Sequence, residues 1–370
     1  MNKKNTHMRH LEEVLFEGPK GLEFIKYILK GLTDKINKQP TNISLSVKID
    51  GAPTMMLWSK FPELRDYGVG TKTVFNKEPK TSHSPEEIDK NFGDRPDLAY
   101  SLKLLLKYAK EIKVPDGQIW QGDFLFTNKT LQEYTNNVIT FKPNTIRYYV
   151  NKNSDIGREI VNSEIGIIWH TRYTKDMKMH FNIDLNVHPR GIYMAEPYLY
   201  DDDINKLQKM LDVEDLKSSI FTNLDKLNTD KYSKMLEYKT FALLFLKYQN
   251  KLIKTQSTFN INDFIKFVAS DKNENIAKKI QDFIDIHKDS IMLIVDLTKQ
   301  LFEIKKLFLK PLNKLGVFKA CVDLRSGESK SINQEGFAVS SPYGNAVKIV
   351  DRNEFSYANF SPDVIKGWEH

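Results

Sequence analysis

Hydrophobic periodicity changes twice along this chain of 370 residues, and no other feature constrains its fold as much. Up to about Tyr200 the pattern is mixed. Leu22, Phe24, Ile25, Tyr27, Ile28, Leu29 and Leu32 form an amphipathic helical pattern, as do Leu98, Leu102, Leu105 and Tyr108 within Pro96–Ile112. Segments 43–49, 55–58, 69–75, 118–126, 137–141, 145–150 and 165–173 read as strands. The first alternates cleanly, with Leu45 and Val47 on one face and Ser46 and Lys48 on the other. From 201 to 315 the period is helical, with wide apolar faces at 237–249 and 276–308, the latter ending at Pro311. Short strands return at 320–324, 336–340 and 346–351. An α+β unit interrupted by a helical module meets this order better than domains in series.

Composition narrows the class. Hydrophobic residues at 40% can fill a core, which excludes wholesale disorder. A net charge of +7 favours an anionic partner. Cys321 is the lone cysteine, which excludes an intramolecular disulfide and a cysteine-based zinc cluster and fits a reducing compartment. The N-terminal residues MNKKNTHMRHLEEVLFEG hold no apolar core of a secretory signal, and the apolar runs at 241–246 and 291–295 are too short to cross a bilayer. The expectation is a soluble, cytoplasmic protein with no membrane partner.

The chemically informative stretch is Lys48-Ile49-Asp50-Gly51-Ala52-Pro53. It presents an amine at the end of a strand. Asp50 sits two residues on, where it could orient that amine, and Gly51 permits close backbone approach. Alone, it is more commonly just a lysine before a turn. Three further segments join it in order: Gly122-Asp123 inside an apolar strand, Glu335-Gly336 entering a strand, and Lys348 within Ala346-Val347-Lys348-Ile349.

That ordered series resembles the covalent nucleotidyltransferase superfamily of ATP-dependent DNA ligases, RNA ligases and mRNA-capping guanylyltransferases. The resemblance implies a ligase adenylation-like α+β domain of antiparallel sheets, formed by residues 1–200 and 316–370; it does not cover 201–315, which the change of periodicity makes a helical insertion. It implies that Lys48 is the nucleophile, with Asp50 and Gly51 completing the first motif. Asp123 stands where the family has glutamate at a ribose or metal contact. Glu335 matches the acid that helps hold the divalent metal, and Lys348 matches the lysine on the α-phosphate. Trp169, in Ile165-Gly166-Ile167-Ile168-Trp169-His170, lies where an aromatic would meet the base. Pro53 replaces a usual arginine, and Val350 a usual second lysine, with Arg352 nearby as an open candidate to substitute for it. KIDGAP, QGDFLFTN, IGIIWHT and AVKIVDRNEFS also resemble tailed-phage proteins of no assigned function, which would put the protein in a host cytoplasm.

The residues make chemical sense of this. A free lysine is almost wholly protonated at neutral pH, so a nucleophilic one needs a cationic or desolvated setting. Lys348 and a metal on Glu335 and Asp123 would both depress the Lys48 pKa, and hard carboxylates suit Mg²⁺ or Mn²⁺. His170, His180 and His188 show no zinc spacing and read as structural or surface residues. Only 22 residues follow Lys348, too few for the OB-fold of the DNA ligases and capping enzymes, so RNA ranks ahead of DNA as partner. Lys72, Lys77 and Lys80, and the insert's Lys231, Lys234, Lys239, Lys247, Lys251 and Lys254, are basic candidates along a strand's path. Tyr148, Tyr149 and Tyr173 could stack bases, although tyrosines in strands are commonly buried.

The expected activity is ATP-dependent, ligase-like joining of a 5′-phosphate to a 3′-hydroxyl through lysyl-AMP. Two alternatives stay open: a nucleotidyltransferase with a non-nucleic-acid acceptor, and an inactive ligase fold used for interaction.

Overall fold

Alternation at 43–49 has the consequence that a period of two demands. In the computed structural model, Leu45 and Val47 of β2 (Ser44–Lys48) are buried, while Ser46 and Lys48 are only half-buried on the opposite face. The structure describes residues 8–64, 66–181, 183, 185, 187–195, 197–207, 211–229, 238–271, 274–316 and 318–367.

Three sheets organise the chain. The first runs in the order β1 (Arg9–His10), β16 (Ala346–Ile349), β15 (Gly336–Ser340), β2 and β12 (Tyr198–Leu199). The second runs β10 (Met179–His180), β9 (Ile165–Tyr173), β5 (Gln118–Thr127), β3 (Thr54–Ser59) and β4 (Tyr67–Gly70), with β11 (Ile192–Ala195) also on β9. The third runs β14 (Ser329–Ile332), β13 (Lys319–Asp323), β8 (Ile146–Asn151), β7 (Val138–Phe141) and β6 (Gln132–Thr135). The chain is therefore α+β. Its sheets are not wholly antiparallel as expected: β1 runs parallel to β16, and β11 to β9. Each parallel pair joins strands separated by intervening structure, which a tight hairpin cannot do.

The helices are α1 (Pro19–Ile36), α2 (Pro85–Phe92), α3 (Pro96–Ile112), α4 (Asp155–Val161), α5 (Asp201–Asn205), α6 (Glu214–Leu227), α7 (Lys239–Thr255), α8 (Ile261–Asp271), α9 (Glu274–Ile286), α10 (Lys288–Leu312) and α11 (Arg352–Phe360). Two expectations need correction. Segment 69–75 is not one strand: β4 stops at Gly70 and a 3-10 turn, Lys72–Phe75, begins at Thr71, whose hydroxyl accepts from the Thr73 amide. Segment 276–308 is not one helix, because His287 leaves helical geometry (φ −112°, ψ 18°) and separates α9 from α10. Pro311 sits in the last turn of α10 rather than beyond it. The helix near 237–249 starts at Lys239, and Lys231 and Lys234 lie outside the described residues.

After the helices the chain returns to the sheets it left. β13 pairs with β8, and β15 inserts between β2 and β16. The apolar core crosses between the regions: Leu45 and Val47 of β2, Ile25 of α1 and Leu297 and Leu301 of α10 belong to one buried cluster. A second cluster lies between α3 and the second sheet, including Leu57, Trp120, Ile167 and Trp169.

Candidate functional site

The site is built where β2 ends and the chain turns into β3. The turn is stitched to β5: the Ala52 amide donates to the Phe124 carbonyl (3.1 Å), and the Phe124 amide donates to the Pro53 carbonyl (3.0 Å). A Cβ on Gly51 would lie 2.7 Å from Asp123 Cβ and 2.9 Å from the Phe124 carbonyl oxygen, so only glycine permits this approach. The stitch brings Lys48 and Asp123, from different sheets, to one cleft.

Strand register supplies the rest. Gly336 pairs with Lys48 at the start of β15, which sets Glu335 beside the Lys48 amine, and the two form an ion pair. Gly336 has φ +137°, and a Cβ there would come within 2.5 Å of the Ile349 carbonyl oxygen. Ser46 pairs with Ala338, and Ala338 with Lys348, so these three and Lys48 lie on one face of the first sheet. Asp123, Thr54, His170 and Tyr173 face them from the second. The cleft has a volume of about 240 Å³, and Lys72 also lines it.

Electrostatics divide the cleft. Burial alone would lower the Lys48 pKa, but the Glu335 carboxylate, with Asp123 and Asp50, outweighs it and leaves Lys48 above the ordinary lysine value. The expected depression of Lys48 is therefore not found. It falls instead on Lys348, through burial and the neighbouring Lys48 charge. Asp123 resists the upward push of burial. His170 and Lys48 hold its pKa below the usual value, and the Thr54 hydroxyl donates to it at 3.1 Å.

Asp50 and Trp169 are placed differently from their expected roles. Asp50 lies beneath the turn. Its carboxylate accepts from Asn144 Nδ2 (3.0 Å) and its own amide donates to the Tyr148 hydroxyl (2.7 Å). Burial and the Glu335 charge push its pKa up to about 6, and the group that pairs with the Lys48 amine is Glu335. Trp169 is fully buried on the α3 side of β9, edge-on to Trp120 with ring centroids 6.0 Å apart, and does not line the cleft. Alternation explains this, because Ile165, Ile167 and Trp169 share the core face. Gly122 makes room for the ring: a Cβ there would touch Trp169 Cε3 at 2.8 Å.

His170, expected to be a structural or surface residue, lines the cleft instead, as do Thr54 and Gln121, which the sequence did not single out. A bulge between Gln121 and Gly122 breaks the register opposite it, so that both His170 and Thr171 line the cleft. His170 Nε2 lies 3.4 Å from Asp123 Oδ2, and Nδ1 is 2.8 Å from the Thr171 hydroxyl. The visible signal was polarity at the position after an apolar strand face.

Other candidates separate. Val350 is buried, and Arg352 binds Glu12 (3.1 Å) and Asn250 rather than facing the cleft. Lys77 and Lys80 are exposed, as are Lys239, Lys247, Lys251 and Lys254. Tyr148 is buried, Tyr149 meets Cys321 Sγ through its hydroxyl (3.2 Å), and Tyr173 lines the cleft. Among the described residues, no group of three or more His, Cys, Asp or Glu side chains could by itself hold a metal. Of the two acids expected at a metal, Asp123 lines the cleft, and Glu335 is paired with Lys48 outside the cleft lining. No helix among the described residues is long and apolar enough to cross a membrane.

A family model described as a family of unknown function (DUF6267) matches residues 5–363. No curated protein and no solved structure matches the chain.

Proposed function

The chain thus belongs to that family of unknown function, and from the cleft itself we propose that it is an ATP-dependent, ligase-like nucleotidyltransferase acting through lysyl-AMP. One observation carries the reading: Lys48, Asp123 and Lys348, far apart in sequence, line a single cleft between two sheets, and Glu335 pairs with the Lys48 amine. This supports an adenylation-type nucleotidyltransferase fold, with residues 201–315 as its helical insertion.

The proposed cycle has three steps. Lys48 must first leave Glu335 and give one proton to water, which makes the amine neutral. Its nitrogen then bonds to the α-phosphorus of ATP, the α–β bridging P–O bond breaks, and pyrophosphate departs with the proton. AMP passes from Lys48 to a terminal 5′-phosphate, and a 3′-hydroxyl displaces it as the new phosphodiester forms. Lys348 offsets charge on the α-phosphate. Asp123 and His170 line the same cleft and orient the nucleotide. Glu335 and Asp123 would hold Mg²⁺ or Mn²⁺, whose charge would favour both release of Lys48 and departure of pyrophosphate. The acceptor in this reading is a polynucleotide end, RNA ahead of DNA, met in the cytoplasm.

The test is incubation with labelled ATP or GTP and Mg²⁺ or Mn²⁺, followed by a denaturing gel and intact mass. A gain of one AMP, lost in Lys48→Ala with melting unchanged, is the expected result. An adduct that survives Lys48→Ala removes the assignment. Adduct without sealing of RNA or DNA moves the reading to another acceptor. No adduct from folded protein makes an inactive interaction module the better account, and the raised Lys48 pKa is what favours that account.

A further inference from the structure

No step of the proposed cycle uses Gln121, the most deeply set amide of the cleft. It lies on β5, lines the cleft and is only 7% exposed. Its Oε1 accepts from the Tyr173 hydroxyl at 2.7 Å, and Tyr173 rests in turn on Phe75, with ring centroids 4.7 Å apart. Its Nε2 makes no hydrogen bond, yet it is not closed off as His170 Nε2 is, and stays open to the cleft. A donor so placed is costly unless something in the cleft accepts from it. Alternation puts Gln121 on the same face of β5 as Asp123, roughly 7 Å away at the usual strand rise. The Lys48 charge acts on Asp123. A phosphate at Lys48 and a sugar at Asp123 therefore put a base at Gln121. Phe181 also lines the cleft, is half-buried, and belongs to none of the buried apolar clusters.

We infer that Gln121 reads the base of the bound nucleotide and selects adenine, and that Phe181 is the ring on which the base stacks. The inference rests on the reading of the cleft as a nucleotide site. A glutamine amide carries a donor and an acceptor side by side. Adenine offers the complement, its N6 amino group beside the N7 acceptor. Guanine offers two acceptors, O6 and N7, on that edge, and one amide cannot meet both. Oε1 keeps a second lone pair after accepting from Tyr173, so the amide can still take both contacts. Stacking on Phe181 adds affinity whatever the base. Trp169, expected in that role, is fully buried in the core and cannot take it.

The test is calorimetry of nucleotide binding to the full chain, with divalent metal withheld so that no adduct forms. ATP should bind about tenfold more tightly than GTP or purine riboside triphosphate, which lacks the amino group; that is the difference one paired amide makes. Gln121→Met, of similar length, should bind all three alike and melt as the parent does. Phe181→Leu should weaken all three by a similar factor and keep the preference for ATP; undiminished affinity there removes the stacking role. Preference for ATP retained in folded Gln121→Met overturns the inference. So does a parent protein that binds ATP and purine riboside triphosphate equally, a comparison that needs no variant to fold. Either result leaves the nucleotide site standing, whereas folded parent that binds no nucleotide removes the site and the inference together. A preference lost in Gln121→Met, with no adduct once metal is added, keeps the inference and removes the lysyl-AMP chemistry.

Discussion

Lys48 shows how one side chain's chemistry depends on its neighbour. The Glu335 carboxylate holds it protonated, and a protonated amine has no lone pair to donate. Glu335→Gln should lower the Lys48 pKa, so that acetic anhydride modifies Lys48 faster at pH 8 than in the parent, read by peptide mass spectrometry. Equal rates would show that Glu335 does not control the amine. Asp50 gives a pH prediction of definite sign. Its folded pKa, about 6, lies above the value of about 3.9 for a free aspartate, so the folded state binds the proton more tightly. Its contribution to stability is therefore lost as pH rises from about 4 to about 6. Over that range Asp50→Asn should gain about 3 kcal/mol relative to the parent, measured by urea unfolding at each pH. A constant difference across the range would show that the carboxyl titrates normally.

Between elements, a buried charge cluster ties the helical module to the strand bearing Lys348. Lys305 of α10 donates to Glu12 at 2.7 Å, and Arg352, just after β16, reaches the other Glu12 oxygen at 3.1 Å. Glu12 and Lys305 are each about 1% exposed. Although burial opposes it, Lys305 and the nearby His10 and Arg352 hold the Glu12 pKa down to about 2. Replacing one member leaves a buried carboxylate undercompensated. Lys305→Met should cost about 3 kcal/mol in urea unfolding. A loss smaller than about 1 kcal/mol would mean that Arg352 alone compensates Glu12.

At the scale of the whole molecule, the helices do not form a separable attachment. Leu297 and Leu301 share a buried cluster with Leu45 and Val47. Excising 201–315 and joining the flanking residues should expose that surface and give a protein that melts without cooperativity, by calorimetry. A sharp transition would show that the α+β part has a sufficient core of its own. Much of this organisation was legible beforehand. The strands at 165–173 and 336–340 and the helix at 96–112 occur at the bounds that periodicity predicts, because local patterning alone decides which face is buried. Of the ordered series read from the sequence, Lys48, Asp123 and Lys348 line one cleft and Glu335 pairs with Lys48. Three things lay beyond reach of the sequence: the Lys48–Glu335 pair, the turning of Asp50 to Asn144, and the exchange of Trp169 for His170 beside Asp123. Strand register and one bulge decide all three, and those depend on pairings between segments up to 287 residues apart, which no local pattern encodes.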